Sequence, residues 1–253
     1  MPALAHALLA ALKDRGTHEI FGIPGDIVLP LFKVIEESNI LPNFTLSHEP
    51  AVGFAADASA RYHGGLGVAV VTYGAGAFNI VNSIAGAYAQ RSPVVVIAGA
   101  PGAGERTSGF LLHHQARTVD TQLAVFKEIT CDQAVLTDPV TASTQIARVL
   151  RSAREMSLPV YLEFLRDMVA AEVESVVALP PRHADAGALA ECTDESSSAS
   201  KRPPRWSRWS TSKSDAIASR RNSCFDAQTE PPAGDHLYGA RTSRTCPRCR
   251  RSR

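Results

Sequence analysis

FTLSHEPAVGFAADASARYHGGLGVAVVTYGAGAFNIVNSIAGAYAQRSPVVVIAG, residues 44–99, decides the fold. An apolar run ends in Ser47-His48-Glu49-Pro50, and a small-residue helical pattern follows. Val68 to Val71 is then a continuous apolar run, the pattern of a strand buried on both faces. A glycine turn, a second small-residue helix and another such strand, Val94 to Ala98, repeat the rhythm. Glu49 is therefore expected at the C-terminal end of a strand, where open α/β sheets place their ligands. Pro50 suits the first turn of the next helix, because its missing N–H would be unpaired there anyway.

Outward from this stretch the same alternation continues. Upstream, Leu4, Leu8, Leu9 and Leu12 predict a helix over 4–15, His18 to Ile23 a short strand, and Leu29, Leu31, Phe32 and Ile35 a helix. Leu41 to Leu46 reads as a strand and 50–62 as a helix. Strand 68–72, helix 77–90 and strand 93–98 complete the central stretch. A long loop, 99–118, interrupts the rhythm before helix 119–128, strand 133–136, helix 139–155 and strand 160–164. Strands alternating with helices imply βαβ units. The expected fold is α/β, doubly wound, with a six-stranded, mostly parallel sheet, helices on both faces and right-handed crossovers. The small faces of two helices (Ala55, Ala56, Ala58, Ala60; Ala85, Gly86, Ala87, Ala89) allow close packing on the sheet or on a partner.

Hydrophobic residues at 45% and charged residues at 20% provide enough apolar surface for a core. A net charge of +1 gives no basis for nucleic acid or an anionic membrane as partner. No apolar run approaches the ~20 residues needed to span a bilayer. The first residues read as an amphipathic helix rather than a signal peptide, because a basic n-region is missing. Of the five cysteines only Cys131 falls in the patterned region, and a buried thiol is expected there. Nothing asks for an oxidising compartment, so the cytoplasm is expected.

Residues 1–179 are expected to form one domain and 180–253 a disordered tail. The tail has few aliphatics and many Ser, Arg and Pro, too little apolar surface to offset ordering entropy. The abrupt change of composition also fits an out-of-frame C-terminus. Cys246-Pro247-Arg248-Cys249 lacks a second ligand pair and is a poor zinc site. No metal site is expected on the chain.

The central stretch resembles the pyrimidine-binding domain of thiamine-diphosphate enzymes, which include acetolactate synthase and the 2-oxo acid decarboxylases. The resemblance rests on His48-Glu49, Ala51, Gly53, Ala55, Ala56, Ala60, Arg61, Gly67 to Thr72, Gly74, Gly76, Asn79, Ile84 to Tyr88 and Pro93 to Gly99, with Gly22-Ile23-Pro24-Gly25 upstream. It runs from Leu4 to Val169, about two thirds of the chain. It implies that Glu49 hydrogen-bonds the ring nitrogen of the cofactor's aminopyrimidine and favours the imino tautomer, which deprotonates the thiazolium carbon. Such a glutamate works in a dry pocket, where desolvation favours its neutral form. The bland alternative is a carboxylate favoured by the positive end of a helix.

Within the family, an aspartate after Pro-Gly and an adjacent histidine pair resemble pyruvate, indolepyruvate and phenylpyruvate decarboxylases; here these are Asp26 and His113-His114. They imply a proton relay to the reacting carbon near neutral pH. Gln115 is implied in the substrate pocket, and Thr72, Gly74 and Asn79 in the wall around the cofactor. Gly74-Ala75-Gly76-Ala77-Phe78-Asn79 is not a dinucleotide loop, since its third glycine is missing. The Gly-Asp-Gly motif that holds the diphosphate through Mg2+ in the family is absent from the sequence. Mg2+ is thus expected only through another domain or partner. The implied activity is non-oxidative decarboxylation of a 2-oxo acid, and the chain offers half a site, as a homodimer or beside a partner. A subunit of a split enzyme and a non-catalytic interaction module are the alternatives.

Overall fold

Six parallel strands form one sheet: β1 (Ile20–Gly22), β2 (Asn43–Thr45), β3 (Gly67–Val71), β4 (Val94–Ala100), β5 (Gln133–Leu136) and β6 (Val160–Leu165). These come from a computed structural model, which describes residues 1–180. Their spatial order is β2-β1-β3-β4-β6-β5. From β1 the chain runs outward to β2, then returns to place β3 on the other side of β1. The topological switch point therefore lies between the C-terminal ends of β1 and β3, where a crevice opens in such sheets.

Period-two alternation divides the strands between two cores. In β3, Val68 and Val70 face one core, and Ala69 and Val71 the other. β4 does the same with Val95 and Ile97 against Val94, Val96 and Ala98. The first core is closed by α1 (Leu4–Asp14), α2 (Leu29–Ser38) and α8 (Pro139–Met156). The second is closed by α3 (Glu49–His63), α4 (Ala75–Asn79), α5 (Val81–Ala89) and α7 (Thr121–Lys127). Small residues let α3 approach closely: a Cβ on Gly67 would lie 1.9 Å from the Ala56 carbonyl oxygen. Gly67→Ala should therefore cost about 1–3 kcal/mol by overpacking. Thermal unfolding checks this, at roughly 2–4 °C per kcal/mol for a domain of this size.

Three expectations need correction. The single helix over 77–90 is two, α4 and α5, joined at Ile80, where the backbone tightens to an Ile80 N–H bond with the Ala77 carbonyl (3.3 Å) and the Ser83 hydroxyl takes the Ile80 carbonyl (2.8 Å). The long loop after β4 contains one helical turn, α6 (Ala103–Arg106), at whose start the N–H groups of Gly102 and Ala103 go to the carboxylates of Glu105 and Asp167 (2.9 and 2.8 Å). Cys131 is half-buried rather than buried, because it sits in the turn before the edge strand β5. No described helix is long and apolar enough to cross a membrane. The expectations for 181–253, including Cys246 and Cys249, lie outside the described residues.

Candidate active site at the switch point

Three connections meet at the C-terminal end of the sheet. After β1, the Gly25 carbonyl accepts the Val28 and Leu29 N–H groups (3.0 and 2.9 Å), folding the chain sharply. Ile27 and Val28 are buried and anchor this turn, which leaves Asp26 exposed with its Oδ1 accepting the Ile27 N–H (2.9 Å). After β2, Glu49 is the first residue of α3, with Pro50 behind it as expected. Glu49 is half-buried, not enclosed in a dry pocket by this chain. Its Oε2 accepts from Asn79 Nδ2 at the end of α4 (3.2 Å). The carboxylate thus turns toward a neighbouring helix rather than capping its own.

After β3 the chain supplies the floor. Thr72 packs against Gly25, where an added Cβ would come within 2.5 Å of the threonine Cβ. Gly76 lies between Thr72 and Glu49, 2.7 Å from Thr72 Cγ2 and 3.4 Å from Glu49 Oε1 by the same measure. The Thr72 hydroxyl is buried without a hydrogen-bond partner. An unpaired buried hydroxyl costs about 1–3 kcal/mol, so it is poised for an acceptor or donor from outside.

Across the crevice, one side-chain donor atom each from Asp26, His113 and His114 lies within 4.8 Å of the others. The two imidazole rings are 3.7 Å apart, centre to centre. Among the described residues this is the one cluster of three such groups, and its spacing suits proton exchange or a cation. His114 holds a left-handed backbone (φ 63°), and so does Gly74 facing it (φ 70°). A Cβ on Gly74 would lie 1.9 Å from the His114 carbonyl oxygen, so the glycine is what lets the histidine loop close on the β3–α4 turn. Gln115 is turned back into its own loop, its Oε1 accepting the Leu112 N–H (3.2 Å).

Sequence reasoning missed the polar chain behind this wall. The Gly74 N–H donates to Gln122 Oε1 (2.7 Å), Gln122 Nε2 to the Tyr161 hydroxyl (2.7 Å), and that hydroxyl to Glu163 Oε1 (3.0 Å). Arg106 bridges Glu163 Oε2 (3.3 Å) and Asp120 (3.0 Å). The available signal was Glu163 itself, a carboxylate in the otherwise apolar strand run VYLEFL, since buried acids are almost never unpaired.

Burial pushes the Glu163 carboxyl above the usual range, with Arg106 opposing it; burial, then Glu163, pushes the Tyr161 phenol well up. An acid raised on folding keeps its proton in the folded chain at pH values where the unfolded chain has lost it. Stability therefore falls as pH rises from 4.5 through the raised value, and returns on acidification. Glu163→Gln should flatten that part of the curve of melting temperature against pH; an unchanged slope would contradict the assignment.

Residues 2–125 match the family described as thiamine pyrophosphate enzyme, N-terminal TPP binding domain. With the parallel sheet and the switch-point crevice, this marks residues 2–125 as a TPP-binding N-terminal domain like those of the thiamine-diphosphate enzymes, as the residues around Glu49 imply. Over 192 residues the chain is 66% identical to the indole-3-pyruvate decarboxylase of Azospirillum brasilense, covering 76% of this chain and 35% of that protein. It is 36% identical over 178 residues to an alpha-keto-acid decarboxylase of Mycobacterium bovis, covering 70% and 31%. Over 161 residues it is 35% identical to pyruvate decarboxylase 2 of Nicotiana tabacum, covering 63% and 26%. The chain thus spans about a third or less of the length of these relatives.

Proposed function

We propose that residues 1–179 supply the aminopyrimidine side of a thiamine diphosphate site in a non-oxidative 2-oxo acid decarboxylase acting on phenylpyruvate- or indolepyruvate-type acids. The observation that carries this reading is the convergence of Glu49, the unpartnered Thr72 hydroxyl and the Asp26–His113–His114 cluster at one end of the sheet. The cofactor fits this wall: the buried Thr72 hydroxyl lacks a partner, and the bare backbone of Gly76 keeps the space beside Glu49 Oε1 clear. When bound, thiamine diphosphate supplies the acidic carbon that adds to the 2-oxo acid and accepts the electron pair as CO2 leaves. Glu49 holds a proton at the pyrimidine ring, with Asn79 fixing its second oxygen. Asp26, His113 and His114 exchange protons with the reacting carbon and its oxygen. Gly74 supports the wall; Gln115, held by the Leu112 N–H in its own loop, would have to turn outward to reach a substrate.

The diphosphate and Mg2+ are assigned to a domain or partner outside this chain. The homodimer proposed would use the outer faces of α3 and α5, where Phe54 and Tyr88 stand 52% and 40% exposed. A small-molecule 2-oxo acid is the partner proposed, and the cytoplasm the compartment. A change of reading frame around Pro181 is proposed for the abrupt change of composition there. Resequencing decides it.

The test joins residues 1–179 to the remaining part of the Azospirillum relative and measures phenylpyruvate and indolepyruvate decarboxylation with thiamine diphosphate and Mg2+. The 253-residue chain alone should be silent and the fused enzyme active. A folded but inactive fusion would overturn the decarboxylase reading. Co-purification with a complete enzyme, insensitive to Glu49→Gln, would support an interaction module instead.

A further inference from the structure

The loop carrying His113 and His114 has two stems, and both converge on the same buried strand. Arg106 precedes the loop, and Asp120 and Gln122 follow it. Arg106 reaches Glu163, and Gln122 reaches Tyr161, two residues apart on β6 in the middle of the fold. Glu163 and Tyr161 are 0% exposed, and Gln122 1%. Tyr73, between the β3 end and Gly74, adds a hydroxyl bond to the Val119 carbonyl on the second stem (3.4 Å).

The chain of bonds has a fixed direction. Glu163 Oε1 is an acceptor, so the Tyr161 hydroxyl donates to it and must accept from Gln122 Nε2. That turns Gln122 Oε1, and not its NH2, toward the Gly74 N–H. Reversing any link sets donor against donor at the next, which in a buried site is costly. We infer that Arg106, Glu163, Tyr161 and Gln122 are positioning residues: they pin both stems of the 107–118 loop to β6 and aim the Gly74 backbone at the His114 carbonyl. The loop conformation that sets the histidine pair beside Asp26 is thereby selected from the core. Its value for catalysis rests on the proposed decarboxylase reading; its value for the loop does not.

Glu163→Gln frustrates one end, since its new NH2 must oppose either Arg106 or the Tyr161 hydroxyl. Tyr161→Phe cuts the middle while leaving the Phe126 ring contact, stacked at 4.3 Å, in place. Both variants are made in the 253-residue chain labelled with 15N-glycine. Amide exchange at Gly74 should quicken by at least about tenfold, the loss of one buried hydrogen bond. The ring resonances of His113 and His114 should shift as well. The Gly67 and Gly99 amides, in β3 and β4, should keep their parent rates and serve as internal controls.

If Gly74 is unchanged in both variants, the inference fails. It also fails if all glycine amides quicken together, since that is general loosening. Should Tyr161→Phe not fold, Arg106→Gln at the half-buried stem decides by the same comparison. In the fused enzyme the variants should lower kcat with KM nearly unchanged. An inactive fusion would remove the decarboxylase reading and leave the exchange result standing.

Discussion

Glu49→Gln in the fused enzyme should lower kcat by about 10²–10⁴-fold, the range for a positioned acid–base group. The substitution is nearly isosteric, and its carbonyl oxygen can still accept from Asn79. An amide, however, cannot exchange a proton with the pyrimidine ring. If Glu49 served only the positive end of α3, its neutralisation would cost about 0.3–1 kcal/mol of stability and leave kcat alone. Turnover and melting temperature measured on the same preparations therefore separate the two roles. Loss of turnover with little change in melting supports the cofactor role, and the reverse pattern contradicts it.

Gly74→Ala should be the most damaging small substitution at the site. The new Cβ would meet the His114 carbonyl oxygen at 1.9 Å, at a backbone position (φ 70°, ψ −124°) that L-residues rarely adopt. Strain and overpacking together should cost about 2–5 kcal/mol. Relief by retreat of the histidine loop would misplace His113 and His114, and a shift of about 1 Å at reacting groups costs on the order of 10²-fold in rate. Gly104→Ala is the control: it lies in α6, its Cβ would meet nothing within 4 Å, and stability should hold or rise slightly. Equal behaviour of the two variants would remove the argument for a close Gly74–His114 approach.

The fold was legible where the apolar pattern was continuous. Val68–Val71 and Val94–Ala98 read as strands buried on both faces, because helices cover both sides of the sheet. The break between α4 and α5 was not legible, since it lies in one backbone bond, the Ile80 N–H tightening to the Ala77 carbonyl, in a run whose side chains all suit a helix. Glu49, Asp26 and the histidine pair stand out in the sequence because their residue types carry chemistry and their neighbours form a family pattern. That Asp26 meets His113 and His114 across many intervening residues is a product of topology, visible only once β1 and β3 are adjacent. Gln122, Tyr161 and Arg106 carried no local signal. Their roles come from one another's hydrogen bonds, and only Glu163, a charge in an apolar strand, marked the place.

The most direct measurement is a crystal structure of the fused enzyme with thiamine diphosphate and Mg2+. A pyrimidine ring nitrogen should lie within hydrogen-bonding distance of the Glu49 carboxylate, with Asp26, His113 and His114 facing the reactive carbon. A cofactor bound away from Glu49, or with the histidine loop turned from it, would contradict the account.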